Sequence, residues 1–208
     1  MSDPVYEAMS KAKRQSESGN VKGAIDTLEN YLSTDPHNNK VRLLLANISI
    51  YGINDIEYGT MQLDIILDIE PNNVDALKAS VTVLMKNKKN NKKVQEQYEK
   101  LLSIAPDAEL YNTYAVFLKM QMVDFEKSAE YYEKAITLNP NKYEYHQNYA
   151  VILLNDLRDY EKAKFELEEV LRLDPKNFSA KKNYDLLIKK KFDSKGNLKK
   201  KKLSFLKR

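Results

Sequence analysis

Small and large apolar residues recur along the chain in fixed columns, with polar stretches between them. The first column, of small residues, consists of Ala12, Ala46, Ala115 and Ala150, with Val81 as the exception. The second small column, 12 or 13 residues later, consists of Ala24, Gly59, Ser128 and Ala163, with Val94 as the exception. A large residue stands four positions further on, at Leu28, Leu63, Tyr98, Tyr132 and Leu167. Because a helix in a stack needs an apolar stripe, these columns predict one helix pair per recurrence.

A proline closes each recurrence, eight residues after the large residue. These prolines are Pro36, Pro71, Pro106, Pro140 and Pro175, with separations of 35, 35, 34 and 35 residues. Self-similarity at such a period is typical of a repeat array. The chain is therefore predicted to be all-α, with five helix pairs and one terminal helix, and roughly three-quarters or more of its residues helical against the usual third.

The predicted repeats span residues 5–38, 39–73, 74–107, 108–142 and 143–177, and a capping helix follows at 178–191. The pattern weakens inside the array at KNKKNNKK (86–93), which predicts a polar loop. Residues 192–208 are a lysine-rich C-terminal tail. Four of the five repeats carry one extra residue between their small columns, and we expect it in the turn between the two helices.

Two phrases resemble the second helix of the tetratricopeptide repeat (TPR), a helix-turn-helix unit of 34 residues. They are DFEKSAEYYEKAITLNP (124–140) and DYEKAKFELEEVLRLDP (159–175). The resemblance extends over residues 5–191, but the position of the family's Trp holds Ala8, Arg42, Leu77, Tyr111 and His146. It implies an α-solenoid of about five TPR repeats plus a C-terminal capping helix, wound as a right-handed superhelix.

The small columns are expected to let the two helices of a repeat approach closely, since larger side chains there would overpack the interface. Most of the 14 tyrosines are interpreted as packing residues as well. Those in core columns are Tyr98, Tyr114, Tyr132 and Tyr149. Those expected to be freer to line a groove or an interface are Tyr6, Tyr111, Tyr143 and Tyr145.

Charge is divided unevenly along the chain. The net charge is +4, but residues 189–208 carry ten basic residues against one acid, Asp193, whereas the rest of the chain carries 24 bases and 29 acids. The absence of cysteine excludes disulfides and thiolate chemistry. The N-terminus lacks the apolar core of a signal peptide, and no run of 18 apolar residues occurs. We therefore expect a soluble, cytoplasmic protein.

The sequence shows no catalytic constellation. His37 falls in a predicted turn and His146 in the Trp position, and both are interpreted as structural because no metal spacing surrounds them. The acidic pairs interpreted as solvated are Glu126/Glu130 and Glu166/Glu169. No Gly-rich phosphate loop occurs. We expect neither an enzyme nor a bound metal or cofactor.

The TPR resemblance implies an adaptor that holds a peptide of another protein on the face lined by the first helix of each repeat. The groove residues expected there are Lys13, Leu43, Asn47, Lys78, Thr82, Asn112, Lys119, Gln147, Asn148 and Lys182. Donors dominate this set, which favours acidic or amide-rich peptides. Some family members clamp a carboxylate, but only Lys78 and Asn148 occupy clamp-like positions here, so clamp specificity is not expected.

A second interpretation rests on the tail, whose basic residues are Lys199, Lys200, Lys201, Lys202, Lys207 and Arg208. Together with Leu203, Phe205 and Leu206 they suit weak binding to nucleic acid such as RNA, or to an anionic membrane surface. Like-charge runs also solubilise a chain end without any target. Neither interpretation involves a small-molecule substrate.

Overall fold

The structure is a computed structural model that describes residues 3–85 and 90–199. This part of the chain forms eleven α-helices and is 80% helical, as predicted. It divides into two compact halves, an N-terminal half (Met1–Ala105) and a C-terminal half (Pro106–Arg208). Repeats 1–3 lie in the first half, and repeats 4 and 5 with the capping helix lie in the second.

The N-terminal half contains six helices. They are α1 (Pro4–Glu17), α2 (Val21–Thr34), α3 (Asn39–Gly52), α4 (Ile56–Ile69), α5 (Val74–Leu84) and α6 (Asn91–Ile104). The two helices of each repeat pack together, and within this half α2 also packs against α3 and α4 against α5. Each apolar stripe is thus covered from both sides, as a repeat stack requires.

The C-terminal half repeats this arrangement. Its helices are α7 (Ala108–Phe117), α8 (Phe125–Leu138), α9 (Tyr143–Ile152), α10 (Tyr160–Leu173) and α11 (Phe178–Lys191). Helix α8 packs against both α7 and α9, and α10 against both α9 and α11. The core tyrosines predicted from the columns are buried, with Tyr114, Tyr132 and Tyr149 at most 3% exposed in this half.

Most of these helices begin at an Asn or Asp side chain that accepts a hydrogen bond from a backbone N–H of the first turn. The capping residues are Asp3, Asn20, Asn38, Asp55, Asn73, Asp107, Asp124, Asp159 and Asn177. Each such cap contributes roughly 1 kcal/mol to helix stability. Regular caps therefore define where each helix starts, independently of the core.

The two small columns meet at the interface between the helices of a repeat. A Cβ atom on Gly59 would clash with Ile50 and would lie 3.0 Å from the Ala46 carbonyl oxygen. In repeat 4 the fully buried Ser128 hydroxyl donates to the Ala115 carbonyl at 2.7 Å. These contacts explain why the columns hold small residues.

In repeats 4 and 5 the extra residue lies in the last turn of the first helix, not in the connecting turn where we expected it. That turn widens into a π-helical turn, Leu118–Met122 and Leu153–Leu157. A left-handed residue follows each, Val123 and Arg158, at φ 56° and 57°. Repeat 1, which lacks the extra residue, ends its first helix with an ordinary turn at Gly19. The inserted residue is thus absorbed by a wider helical turn.

A ladder of side chains joins successive repeats at a spacing of 29 residues. Tyr58 donates to Glu29 at 2.5 Å, Lys93 to Asp64 at 2.9 Å, and Lys162 to Glu133 at 3.2 Å. Burial and the Glu29 hydrogen bond raise the pKa of Tyr58 to about 12. Exposed ion pairs contribute little to the free energy of unfolding. These contacts therefore help to align neighbouring repeats more than they stabilise the fold.

Candidate functional site

The predicted groove residues of the N-terminal half lie on the first helices α1, α3 and α5. Lys13, Lys78 and Thr82 are exposed, and Asn47 is half-buried. The Thr82 hydroxyl donates to the Lys78 carbonyl at 2.8 Å, which leaves that threonine partly engaged by its own helix. Leu43 packs instead against the apolar cluster that contains Leu63. This half therefore offers cations and one amide on its first helices.

The structure brings two predicted groove residues of the C-terminal half together. Asn148 on α9 donates through Nδ2 to Oδ1 of Asn112 on α7 at 3.0 Å. Asn112 is 8% exposed, while Asn148 is half-buried. The neighbouring Gln147 accepts at 2.9 Å from Asn177, the residue that caps α11. The first helices α7 and α9 are thus joined by a fixed amide pair.

The two remaining groove residues of this half are cations. Lys119 lies in the π-helical turn that continues α7 and is half-buried, whereas Lys182 on α11 is exposed. They lie on the helices at either side of α9. Amide and lysine side chains therefore lie on these three elements of the C-terminal half.

A carboxylate that the sequence did not single out lies at the start of α7. Glu109 accepts from Lys142 at 2.7 Å and from the Tyr145 hydroxyl at 3.0 Å. The hydrogen bond from Lys142 is the main cause that lowers the pKa of Glu109. Tyr145 is 2% exposed, so our expectation that it lines a groove was wrong. Its phenol is instead part of the contact between repeats 4 and 5.

A second missed site is the buried pair of His146 and Glu166. The two side chains are 3% and 7% exposed, and His146 Nδ1 lies 2.6 Å from a Glu166 carboxylate oxygen. His146 Nε2 lies 2.9 Å from the Pro140 carbonyl oxygen. Because a carbonyl and a carboxylate both accept, only the protonated imidazole can donate to both. The interpretation of Glu166 as a solvated acid was therefore wrong.

The pKa of His146 is raised by this geometry. Burial opposes the charged ring, but the hydrogen bond to Glu166 and the one to the Pro140 carbonyl outweigh it. His146 keeps the structural role that the sequence suggested for it. The two acceptors therefore favour the protonated form of His146.

Arg42 occupies the same position in repeat 2. Its Nη1 donates to Gln62 Oε1 at 2.6 Å, and its Nη2 donates to the Pro36 carbonyl at 2.5 Å. Both cations follow a proline by six residues and precede their side-chain acceptor by 20. This shared spacing can be read from the sequence alone, and it would have predicted both hydrogen-bonded pairs, Arg42 with Gln62 and His146 with Glu166.

The capping region continues beyond α11. Phe192 is 5% exposed and forms an isolated bridge with Leu198. Lys199 donates from its backbone to the Lys191 carbonyl and from its side chain to the Lys189 carbonyl, both at 2.7 Å. The other basic tail residues proposed for anionic surfaces lie outside the described residues: Lys200, Lys201, Lys202, Lys207 and Arg208.

Within residues 3–85 and 90–199, no group of three or more His, Asp or Glu side chains could hold a metal ion. No helix in the described ranges is long and apolar enough to cross a membrane.

Comparisons with known proteins agree with the repeat architecture. Two family models described as tetratricopeptide repeat match residues 108–142 and 131–165. Among solved structures, MamA from Desulfovibrio magneticus RS-1 is 21% identical, with a TM-score of 0.72 over 86% of this chain and 99% of that one. YrrB, described as a TPR protein with an unusual peptide-binding site, is 18% identical, with a TM-score of 0.65 over 78% and 82% of the two chains. No curated protein matches the chain.

Repeated helix pairs with small residues at their contacts define an α-helical repeat protein. The two family matches show that residues 108–165 are tetratricopeptide repeats, and the helix pairs on either side of them follow the same architecture. These repeats support a role as a protein-interaction scaffold.

Proposed function

We propose that this protein is an adaptor that binds an extended segment of a partner protein on the first-helix face of its repeats. The observation that carries the proposal is the amide pair Asn112–Asn148, which lies across α7 and α9. Lys119 and Lys182 lie on the neighbouring elements of the same half.

Amides fixed in this way suit a peptide backbone. A side-chain amide has two donor hydrogens and an accepting oxygen, and the bond from Asn148 to Asn112 uses one of the donors. An extended peptide presents N–H and C=O groups in alternation, so the remaining groups of Asn148 can pair with both. Because Asn148 is already held in place, binding costs little side-chain entropy.

The cations on this face favour an acidic or amide-rich segment. Lys119 and Lys182 in the C-terminal half, and Lys13 and Lys78 in the N-terminal half, can each approach a carboxylate. Contacts at an exposed rim mainly affect association rate and salt dependence. On this proposal the amides provide most of the affinity for the peptide, and the lysines provide the preference for acidic peptides.

The experiment selects binding peptides from a random displayed library with the full chain and measures their affinity by calorimetry. The selected peptides are expected to be rich in Asp, Glu, Asn or Gln. Asn148→Ala should weaken peptide binding about tenfold, which is the effect of losing one or two hydrogen bonds. Lys78→Ala should lower the affinity for those peptides that bind the N-terminal half.

The matched control is Asn30→Ala, which makes the same change at an exposed position of the second helix α2. It should leave every affinity unchanged. If Asn148→Ala and Lys78→Ala behave like this control, the first-helix face is not the binding surface.

A further inference from the structure

Four repeats place a pair of side chains at the same position, fully or partly buried, one in the family's Trp position and the other 20 residues later. We call these the slot pairs. They are Arg42/Gln62, Leu77/Gln97, Tyr111/Tyr131 and His146/Glu166. Three of them are chemically matched: a guanidinium with an amide oxygen, two rings with centroids 5.8 Å apart, and an imidazole with a carboxylate.

The slot pair of repeat 3 is not matched. Leu77 is 2% exposed and has no donor to offer, whereas Gln97 is 7% exposed and carries a buried amide oxygen. That Oε1 atom makes no hydrogen bond to any residue in the part of the chain that the structure describes. Buried acceptors are nearly always satisfied in folded proteins, since an unpaired one is destabilising. The mismatch therefore indicates a missing donor.

Gln97 lines an open cleft of about 440 Å³ between α4, the start of α5 and α6. This volume lies within the range of small-ligand sites. Among the charged side chains of the lining, Asp64 is already paired with Lys93 at 2.9 Å. Of the two further carboxylates, Asp68 and Glu96, the latter also lies 3.9 Å from Lys92, outside the lining, so the lining itself holds three carboxylates against two cations. The charge of the cleft therefore favours a cation.

We propose that this cleft binds the guanidinium group of an arginine side chain from a partner protein. The template lies in the preceding repeat, where Arg42 donates to both Gln62 and the Pro36 carbonyl. Pro71 lines the cleft and precedes Leu77 by six residues, as Pro36 precedes Arg42. Repeat 3 thus offers an amide oxygen and a proline at the spacing that holds a guanidinium in repeat 2.

Arginine fits these acceptors better than lysine does. Its planar guanidinium carries donors in a fixed fork that can reach two oxygens at once, whereas an ammonium acts as a compact point charge. The cleft lies on the second helices α4 and α6, so this site is separate from the first-helix face and does not depend on its role.

The first experiment titrates the full-length protein with the blocked peptide acetyl-Gly-Arg-Gly-amide and follows it by NMR. Saturable shifts of the Gln97 side-chain amide and of α4 and α6 backbone amides are expected at millimolar peptide. The matched lysine peptide should bind at least about tenfold more weakly. Equal binding of the two peptides, or an absence of saturable shifts, would overturn the proposal. So would binding of free arginine without binding of the blocked peptide, because the source would then be a metabolite.

Substitutions in the slot pair of repeat 3 provide a second test of the guanidinium site. Gln97→Leu removes the acceptor and should abolish the shifts, and Leu77→Arg should abolish them by filling the slot from within. Gln97→Glu copies the carboxylate of the His146/Glu166 pair and should tighten binding about tenfold, because charge-assisted hydrogen bonds are stronger.

The matched control is Gln95→Leu, the same substitution two residues away on α6, where Gln95 donates to Glu99. It should bind the arginine peptide like the unchanged protein. If Gln97→Leu does the same, the guanidinium does not bind at this cleft. Should either slot substitution disturb folding, Gln97→Glu alone still decides the matter, since unchanged affinity in that variant contradicts the proposal.

Discussion

Repeats 2 and 5 fill the same buried position with two different cations. Arg42 and His146 each bridge a proline carbonyl and a side chain 20 residues later, with distances between 2.5 and 2.9 Å. Guanidinium remains charged at any pH that a protein meets, whereas imidazole gives up one of its two donors when it deprotonates. The comparison teaches that two different cations can satisfy the same two acceptors at this position, and that only repeat 5 makes this contact depend on pH.

Removal of the cation should distinguish the two repeats most strongly. His146→Leu leaves the Glu166 carboxylate buried without a partner, and we expect a loss of about 3–5 kcal/mol in the free energy of unfolding. Arg42→Leu removes the donor from two neutral acceptors, the buried Gln62 amide and the exposed Pro36 carbonyl, with an expected loss of about 1–3 kcal/mol. Urea denaturation of each single variant measures both losses.

The double variant His146→Leu/Glu166→Leu is the control, since an apolar pair of similar volume can replace a buried ion pair at little cost. Its stability should return close to that of the unchanged protein. Equal losses in the two single variants would show that charge is not what separates repeats 2 and 5.

Stability should also depend on pH through repeat 5, with a smaller effect. The pKa of His146 in the folded protein is raised above its ordinary value of 6.5. A raised pKa means that the folded state holds the proton more tightly than the unfolded state does. This contribution to stability is fully present below about pH 6.5 and is lost as the pH rises through the folded-state pKa.

Thermal unfolding of the unchanged protein and of the double variant, measured from pH 5.5 to 8.5, tests this expectation. The melting temperature of the unchanged protein should fall relative to that of the double variant as the pH rises. Arg42→Leu should keep the same pH-dependent fall, because its slot pair does not titrate in this range. Parallel profiles for the unchanged protein and the double variant would contradict a protonated His146.

The left-handed residue between the two helices of a repeat gives the smallest expected difference between repeats 2 and 5. Asn54 in repeat 2 and Arg158 in repeat 5 both adopt φ 57°. Asn tolerates the left-handed region far better than Arg does. Arg158→Gly should therefore stabilise the protein by up to about 1 kcal/mol, and Asn54→Gly should be nearly neutral. Denaturant midpoints of the two variants, compared at an unchanged slope of the unfolding free energy against denaturant, measure this difference. A loss of stability in Arg158→Gly would indicate that contacts of the arginine side chain stabilise the fold by more than its left-handed backbone conformation destabilises it.

The sequence by itself determined the repeat architecture. The columns and the closing prolines gave helix pairs at a period of 34 or 35 residues, and the structure has eleven helices with small residues such as Gly59 and Ser128 at their contacts. These features are readable because helical periodicity is local, and because each repeat confirms its neighbour. On the candidate face, the column positions put Asn112 and Asn148 on first helices of successive repeats, and the structure added the hydrogen bond between them.

Only the tertiary structure decided what lies inside the slots. Glu166 looked like a solvated acid and Tyr145 like a groove residue, yet both are buried by partners 20 and 36 residues away. The place of the extra residue was likewise decided by the fit of two packed helices, which widened the last turn of α7 and α9. Burial and hydrogen bonding depend on groups that packing brings together, and a single helix does not reveal whether its polar side chain will meet water, an acceptor or, as at Gln97, no partner in the described chain.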